Sequence, residues 1–136
     1  MNSEGVFSGR LLLTTIPFTT YAMCENERNN GTTISINECY KKEVQKSDKK
    51  IMQVYTNYKN TLSANEQKNL LEVQRSWISY KMKQCNFEVA SYGTIAGQLH
   101  AQCMINMNNR RINELKYMQD CGLESSSNFC MNYRPA

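Results

Sequence analysis

A chain of 136 residues, 40% hydrophobic and 21% charged, has enough material for one modest core and is too rich in apolar residues for a disordered segment. Sixteen Lys and Arg against twelve Asp and Glu leave a formal charge of +4. The cations are spread from Arg10 to Arg134 in runs of at most two, too dilute for the basic stripe of a nucleic-acid-binding protein.

Residues 1–22 differ from the rest. Arg10 precedes the apolar run LLLTTIPFTTYA, and Thr20-Tyr21-Ala22 places small residues at the −3 and −1 positions of a cleavage site. This segment is expected to be a secretory signal. The run is too short to span a membrane. Met23 before Cys24 is not the small residue that lipidation requires, so the chain is not expected to be a lipoprotein.

Asn29-Asn30-Gly31 marks a turn. Beyond it, Ile36, Tyr40, Val44, Ile51, Tyr55, Tyr58 and Leu62 recur at three- and four-residue steps, which predicts one long amphipathic helix over about 35–62. Ser63 and Glu66 have the spacing of a capping box and open a second helix running to about Val89. On it, Leu70, Gln74, Trp77 and Lys81 form one ridge, and Leu71, Ile78, Met82 and Cys85 form its neighbour. Ser91-Tyr92-Gly93-Thr94 interrupts the pattern. A third helix is expected over about 95–119, with Leu99, Cys103, Met107, Arg111, Leu115 and Met118 on one face. No segment has strand periodicity. The fold class is therefore all-α: an antiparallel three-helix bundle over residues 23–120, followed by a Ser- and Asn-rich tail, 121–136.

The six cysteines are Cys24, Cys39, Cys85, Cys103, Cys121 and Cys130, all beyond the expected signal. An even number behind a secretory start implies disulfides and a periplasmic or secreted location. There is no CxxC pair and only one histidine, His100, so no zinc site and no other metal is expected. In an up-down-up bundle Cys39, Cys85 and Cys103 fall towards one end, and Cys24 can reach it. Cys121 and Cys130 fall at the other end and should pair with each other. For the first four, Cys24–Cys39 with Cys85–Cys103 is the locally simplest arrangement, but sequence alone leaves the pairing open.

Asp48 stands between Val44 and Ile51 on the stripe expected to face inward, where a carboxylate needs a partner. Arg111 on the inner stripe of the third helix is the expected one, with Lys81 as the alternative. Trp77, Ile78, Ile51, Tyr55 and Leu115 are expected in the core. Nothing pairs a nucleophile with a base, and no Gly-rich phosphate loop is present. An enzyme is not expected, and no cofactor is implied.

The ordered set Asn37-Glu38-Cys39, Ser47-Asp48-Lys49-Lys50-Ile51, Val54-Tyr55, Val73-Gln74-Arg75-Ser76-Trp77-Ile78-Ser79-Tyr80-Lys81, Cys85, Cys103, Arg111 and Glu114-Leu115 resembles the lysozyme-inhibitor LprI family, in particular its N-terminal domain. The likeness covers about residues 24–118. It departs from the family pattern at Lys81, where Arg is usual, at Met52, where Asn is usual, and at the loop 91–94, where a Gly-Gly-Ser segment is usual. The resemblance implies a small, helical, disulfide-bonded bacterial envelope protein that binds a protein partner. Lys81, Tyr80, Tyr92, Gly93 and Arg111 are the candidate binding residues. The C-x8-C spacing of Cys121 and Cys130 also occurs in insect odorant-binding proteins, but the C-x3-C which that class requires is missing.

The expected function is thus that of a periplasmic, non-enzymatic inhibitor of a lysozyme or other peptidoglycan-cleaving enzyme. Two alternatives share the same address: an immunity protein neutralising a toxin delivered by a competing bacterium, and a binder of a small envelope molecule. Electrostatic steering of a net positive chain towards a cationic lysozyme of the animal type is unfavourable.

Overall fold

The computed structural model describes residues 23–122; the expected signal and most of the tail, with Cys130, lie outside them. Among these residues the chain forms four helices and no strand: α1 (Glu25–Asn30), α2 (Thr33–Lys59), α3 (Ala64–Val89) and α4 (Ala96–Cys121). The three long helices were expected, and the helical-bundle class holds. The six-residue α1 was not, because its sequence ENERNN has no apolar period to reveal it.

Local chemistry sets the boundaries. The Thr32 hydroxyl accepts a hydrogen bond from the Ser35 amide at 3.2 Å and caps α2. The capping box of α3 is complete: the Ser63 amide donates to Glu66 Oε2 at 2.8 Å, and the Glu66 amide donates back to Ser63 Oγ at 3.4 Å. At the corner between α1 and α2, Gly31 is required by space. A Cβ there would lie 2.5 Å from the Glu27 carbonyl oxygen and collide with Ser35 Oγ.

Side-chain pairings fix the topology. Tyr40 packs with Ala101, Ser47 bonds Asn108, and Ile51 and Tyr55 meet Ile112 and Leu115, so α2 and α4 run parallel. Cys85 joins Cys103, Lys81 bonds Asn108, and Gln74 bonds Arg111, so α3 runs antiparallel to both. The up-down-up order was anticipated. What was not is that α2 and α3 each pack on α4 with their own backbones held apart.

This splay explains a correction. Ile78, expected in the core, is 45% exposed, and Met82 on the same ridge is 40% exposed. Their ridge of α3 borders an open groove between α2 and α3. Ile51, Tyr55 and Leu115 are buried as expected, and Trp77 is half-buried between two apolar clusters.

The interior is assembled in levels. One end holds Ile51, Tyr55, Leu70, Ile112 and Leu115. Nearer the other end come Cys85, Cys103, Met104 and Met107, then Cys24, Tyr40 and Ala101. Two disulfides secure this second end. Cys24–Cys39 ties α1 to α2 across 15 residues, and Cys85–Cys103 ties α3 to α4 across 18. Loops of that length are constrained by about 3 kcal/mol each on a chain-entropy estimate, a large share of what a divided core can supply. His100 adds a contact to Asn86 at 2.9 Å, also between α3 and α4. No described cysteine is a free thiol; the pairing expected for Cys121 involves Cys130, which lies outside the described residues.

Gly31→Ala is expected to lower stability by about 1–2 kcal/mol, since the colliding carbonyl belongs to backbone and cannot swing away; an unchanged thermal midpoint would contradict the close approach. Glu66 supplies a pH signature. Hydrogen bonds from the Ser63 side chain and then its backbone hold the Glu66 carboxyl below its ordinary value of 4.5. A depressed folded value means that its contribution is complete above pH 4.5 and is lost as pH falls through the lowered value. The advantage of the native chain over Glu66→Gln in thermal melts is therefore expected to shrink steadily below pH 4.5.

Candidate functional site

Between the apolar levels lies a polar one. Asn108 is fully buried, and Lys81, Arg111, Gln74 and Ser47 are buried around it. All five stand on inner stripes of their helices: Ser47 between Tyr40 and Ile51 on α2, Gln74 and Lys81 between Leu70 and Cys85 on α3, Asn108 and Arg111 between Met104 and Leu115 on α4. Helix geometry alone thus delivers them to one level.

Each member is partnered. Asn108 Nδ2 donates to Ser47 Oγ at 3.0 Å and to Asp48 Oδ1 at 2.8 Å, and Asn108 Oδ1 accepts from Lys81 Nζ at 2.9 Å. The neighbours dictate the orientation of the amide, since a flip would set its NH2 against an ammonium and its oxygen against a carboxylate. Lys81 Nζ also lies 3.6 Å from Asp48 Oδ1. Arg111 donates through Nε to Gln74 Oε1 at 3.1 Å and through Nη1 to Glu114 Oε2 at 2.8 Å. Both cations approach the Trp77 ring: Lys81 Nζ is 5.0 Å and Arg111 Cζ 5.8 Å from its centroid. Arg111 Nη2 is buried without a hydrogen-bond partner.

The two halves of the level follow one rule. A buried cation is paired with a carboxylate at the solvent edge, bonded to a neutral amide, and set against the indole. Asp48 and Glu114 keep 49% and 40% of their side chains exposed, so neither carboxylate bears a full desolvation cost. The expected Asp48–Arg111 pair does not form. Asp48 turns to Lys81 and Asn108, and Arg111 turns to Glu114 and Gln74. The inward position on α2 belongs to Ser47; Asp48 is one residue further round the helix and lies at the edge facing α3.

Above this level the splay of α2 and α3 opens a groove of about 450 Å³. Its walls are Met52 and Tyr55 from α2 and Leu71, Trp77, Ile78 and Met82 from α3, with Met104 of α4 at the floor and Asp48, Arg75 and Lys81 at the polar margins. The Tyr55 hydroxyl, buried in this wall, has no hydrogen-bond partner.

Of the candidate binding residues, Lys81 and Arg111 meet in the polar level. Tyr80 is exposed on another face of α3, and Tyr92 and Gly93 belong to the connection between α3 and α4, so the five do not form one surface. Sequence reasoning missed Asn108 and Ser47, and placed Gln74 on a ridge without giving it a role. The available signal was a polar residue three or four positions from apolar neighbours on an inner stripe. Among the described residues the one group spaced to hold a metal is Cys24, Glu27 and Cys39, whose two sulfurs form a disulfide. No described helix is long and apolar enough to cross a membrane.

These features define a disulfide-stapled helical domain with a hydrogen-bonded polar level and one open apolar groove. The family described as Lysozyme inhibitor LprI matches residues 24–115, more than half of the chain, and the chain belongs to that family. No curated protein and no solved structure matches it.

Asn108→Ala is expected to cost about 2–3 kcal/mol, because it strands the buried Lys81 ammonium and the Ser47 hydroxyl. Asp48→Ala is expected to cost about 1 kcal/mol, because water can reach the half-exposed edge it vacates. Denaturant titrations of both variants check this order; equal losses would contradict it.

Proposed function

We propose that the protein is a non-enzymatic extracytoplasmic inhibitor that binds a lysozyme or a related peptidoglycan-cleaving enzyme and blocks it. The observation that carries this reading is the family match over residues 24–115. The two disulfides support an oxidising compartment, and residues 1–22 would be the export signal removed on the way there. Residues 121–136 would then follow the domain as a tail closed by Cys121 and Cys130.

The positive charge of the chain limits how it can act. With a cationic enzyme, long-range attraction is absent, so inhibition would rest on close fit and apolar contact. Exposed apolar side chains on α3 and after it, Ile78, Tyr80, Phe87 and Tyr92, are available for such contact. The toxin-immunity alternative would use the same surfaces against a different enzyme, and it is separated from the first reading by the identity of the partner alone.

Purified protein with its disulfides intact is expected to slow the clearing of a peptidoglycan suspension by at least one lysozyme in a panel of animal and bacterial types. Inhibition should saturate at one inhibitor per enzyme and persist at 0.15 M salt, about the ionic strength at which long-range steering is screened. Absence of both inhibition and binding across the panel would overturn the reading.

A further inference from the structure

We infer that the groove between α2 and α3 is a binding site for a small monoanionic amphiphile, an unbranched acyl chain ending in a carboxylate. The inference is independent of whether the chain inhibits a lysozyme.

Three observations carry it. First, the groove runs along the helices that line it. From Asp48 to Tyr55 it follows two turns of α2, about 10 Å, and its volume of about 450 Å³ is within the range of small-molecule sites. A groove that runs along two helices suits an elongated body better than a compact one. Second, its walls are apolar and conformable. Met52, Met82 and Met104 present flexible thioethers beside Trp77, a lining that adapts to a chain without fixed branching. Met52 is 61% exposed, and with Ile78 and Met82 it leaves an uncovered apolar strip that water must wet when the groove is empty.

Third, the polar groups at the margins favour an anion. Lys81 and Arg75 bring two positive charges to the lining and Asp48 brings one negative charge, so the site is net positive by one. Lys81 and Asp48 are already engaged with each other, whereas no ion pair involves the exposed Arg75 among the described residues. Tyr55, 8% exposed, lines the groove, and its buried hydroxyl is a donor without a partner. A donor of this kind is costly to leave unsatisfied, and a ligand oxygen would satisfy it. A carboxylate fits that pair: Tyr55 donates from within and Arg75 closes over the mouth. An ammonium head group would meet Arg75 as a like charge.

The protein supplies its own reporter, because Trp77 is the only tryptophan in the chain and lines the groove. Decanoate, kept below its micellar concentration, is expected to change the Trp77 emission saturably. Decanol should bind more weakly and decyltrimethylammonium more weakly still. Arg75→Gln, at an exposed position, should weaken decanoate about tenfold and leave decanol unchanged, as expected for loss of one charge contact. Ile78→Glu, also exposed, should abolish the decanoate response, and circular dichroism should show native helix content in both variants. No saturable response in the native protein would overturn the proposal, as would equal affinity for the three head groups or a native response in Ile78→Glu. Sedimentation with phosphatidylglycerol vesicles without a response to monomeric decanoate would assign the affinity to a membrane surface and overturn it as well.

Discussion

The amide of Asn108 is the point at which the three long helices are joined. It is fully buried on α4, donates twice to α2 and accepts once from α3. The Lys81 ammonium behind that acceptance is buried, and its nearest carboxylate oxygen is 3.6 Å away, too long for a good charged hydrogen bond. An ion pair of that kind alone would not repay the removal of Lys81 from water. The amide supplies the missing short contact and the Trp77 face supplies a further one, worth about 1–2 kcal/mol when desolvated. If the amide is taken away, the ammonium, the hydroxyl of Ser47 and the position of α2 all lose their reason at once.

A level built this way specifies more than it stabilises. Apolar cores tolerate sliding of one helix on another by a turn, because one aliphatic contact resembles the next. The polar level does not, since a shift of one turn would leave a buried cation facing a methyl group. Register between α2 and α4, and between α3 and α4, is therefore set by hydrogen bonds and not by packing alone. The disulfides lie at one end and cannot set register at the other; the polar level acts midway, where their constraint has weakened. The same requirement accounts for the groove. With α2 and α3 both referred to α4, their backbones stand apart, joined at this level by Asp48 and Lys81, and the apolar strip between them is left open.

Much of this was legible in the sequence. The periods of α2, α3 and α4 and the capping box at Ser63 follow from spacing that local physics interprets directly, whereas the two described disulfides are the simplest of several pairings that the sequence left open. The chemistry of Lys81 and Asp48 was visible only as a problem, a charge on an inner stripe. Its solution was not visible, because the choice between Lys81 and Arg111 as partner depends on which side of α2 faces α3, and a difference of one residue, Ser47 or Asp48, decides that. Ile78 was misplaced for a related reason. Its period is that of a buried position, but burial also needs a neighbouring helix at the right distance, and the splay of α2 from α3 is a tertiary property with no local signature.

The parallel pairing of α2 with α4 bears on how the chain reaches this state. In most up-down-up bundles the first hairpin can form by itself, since consecutive helices pack. Here the backbones of the consecutive pair α2 and α3 stay apart and meet only through side chains, and the hydrogen bonds that hold α2 to α4 join residues about 60 apart, such as Ser47 and Asn108. Closing that separation costs chain entropy before any contact rewards it. The hairpin of α3 and α4, whose partners are closer in sequence, closes the shorter loop, and α2 needs the longer one. The first long helix of the chain thus depends on the last one for the cover of its apolar stripe.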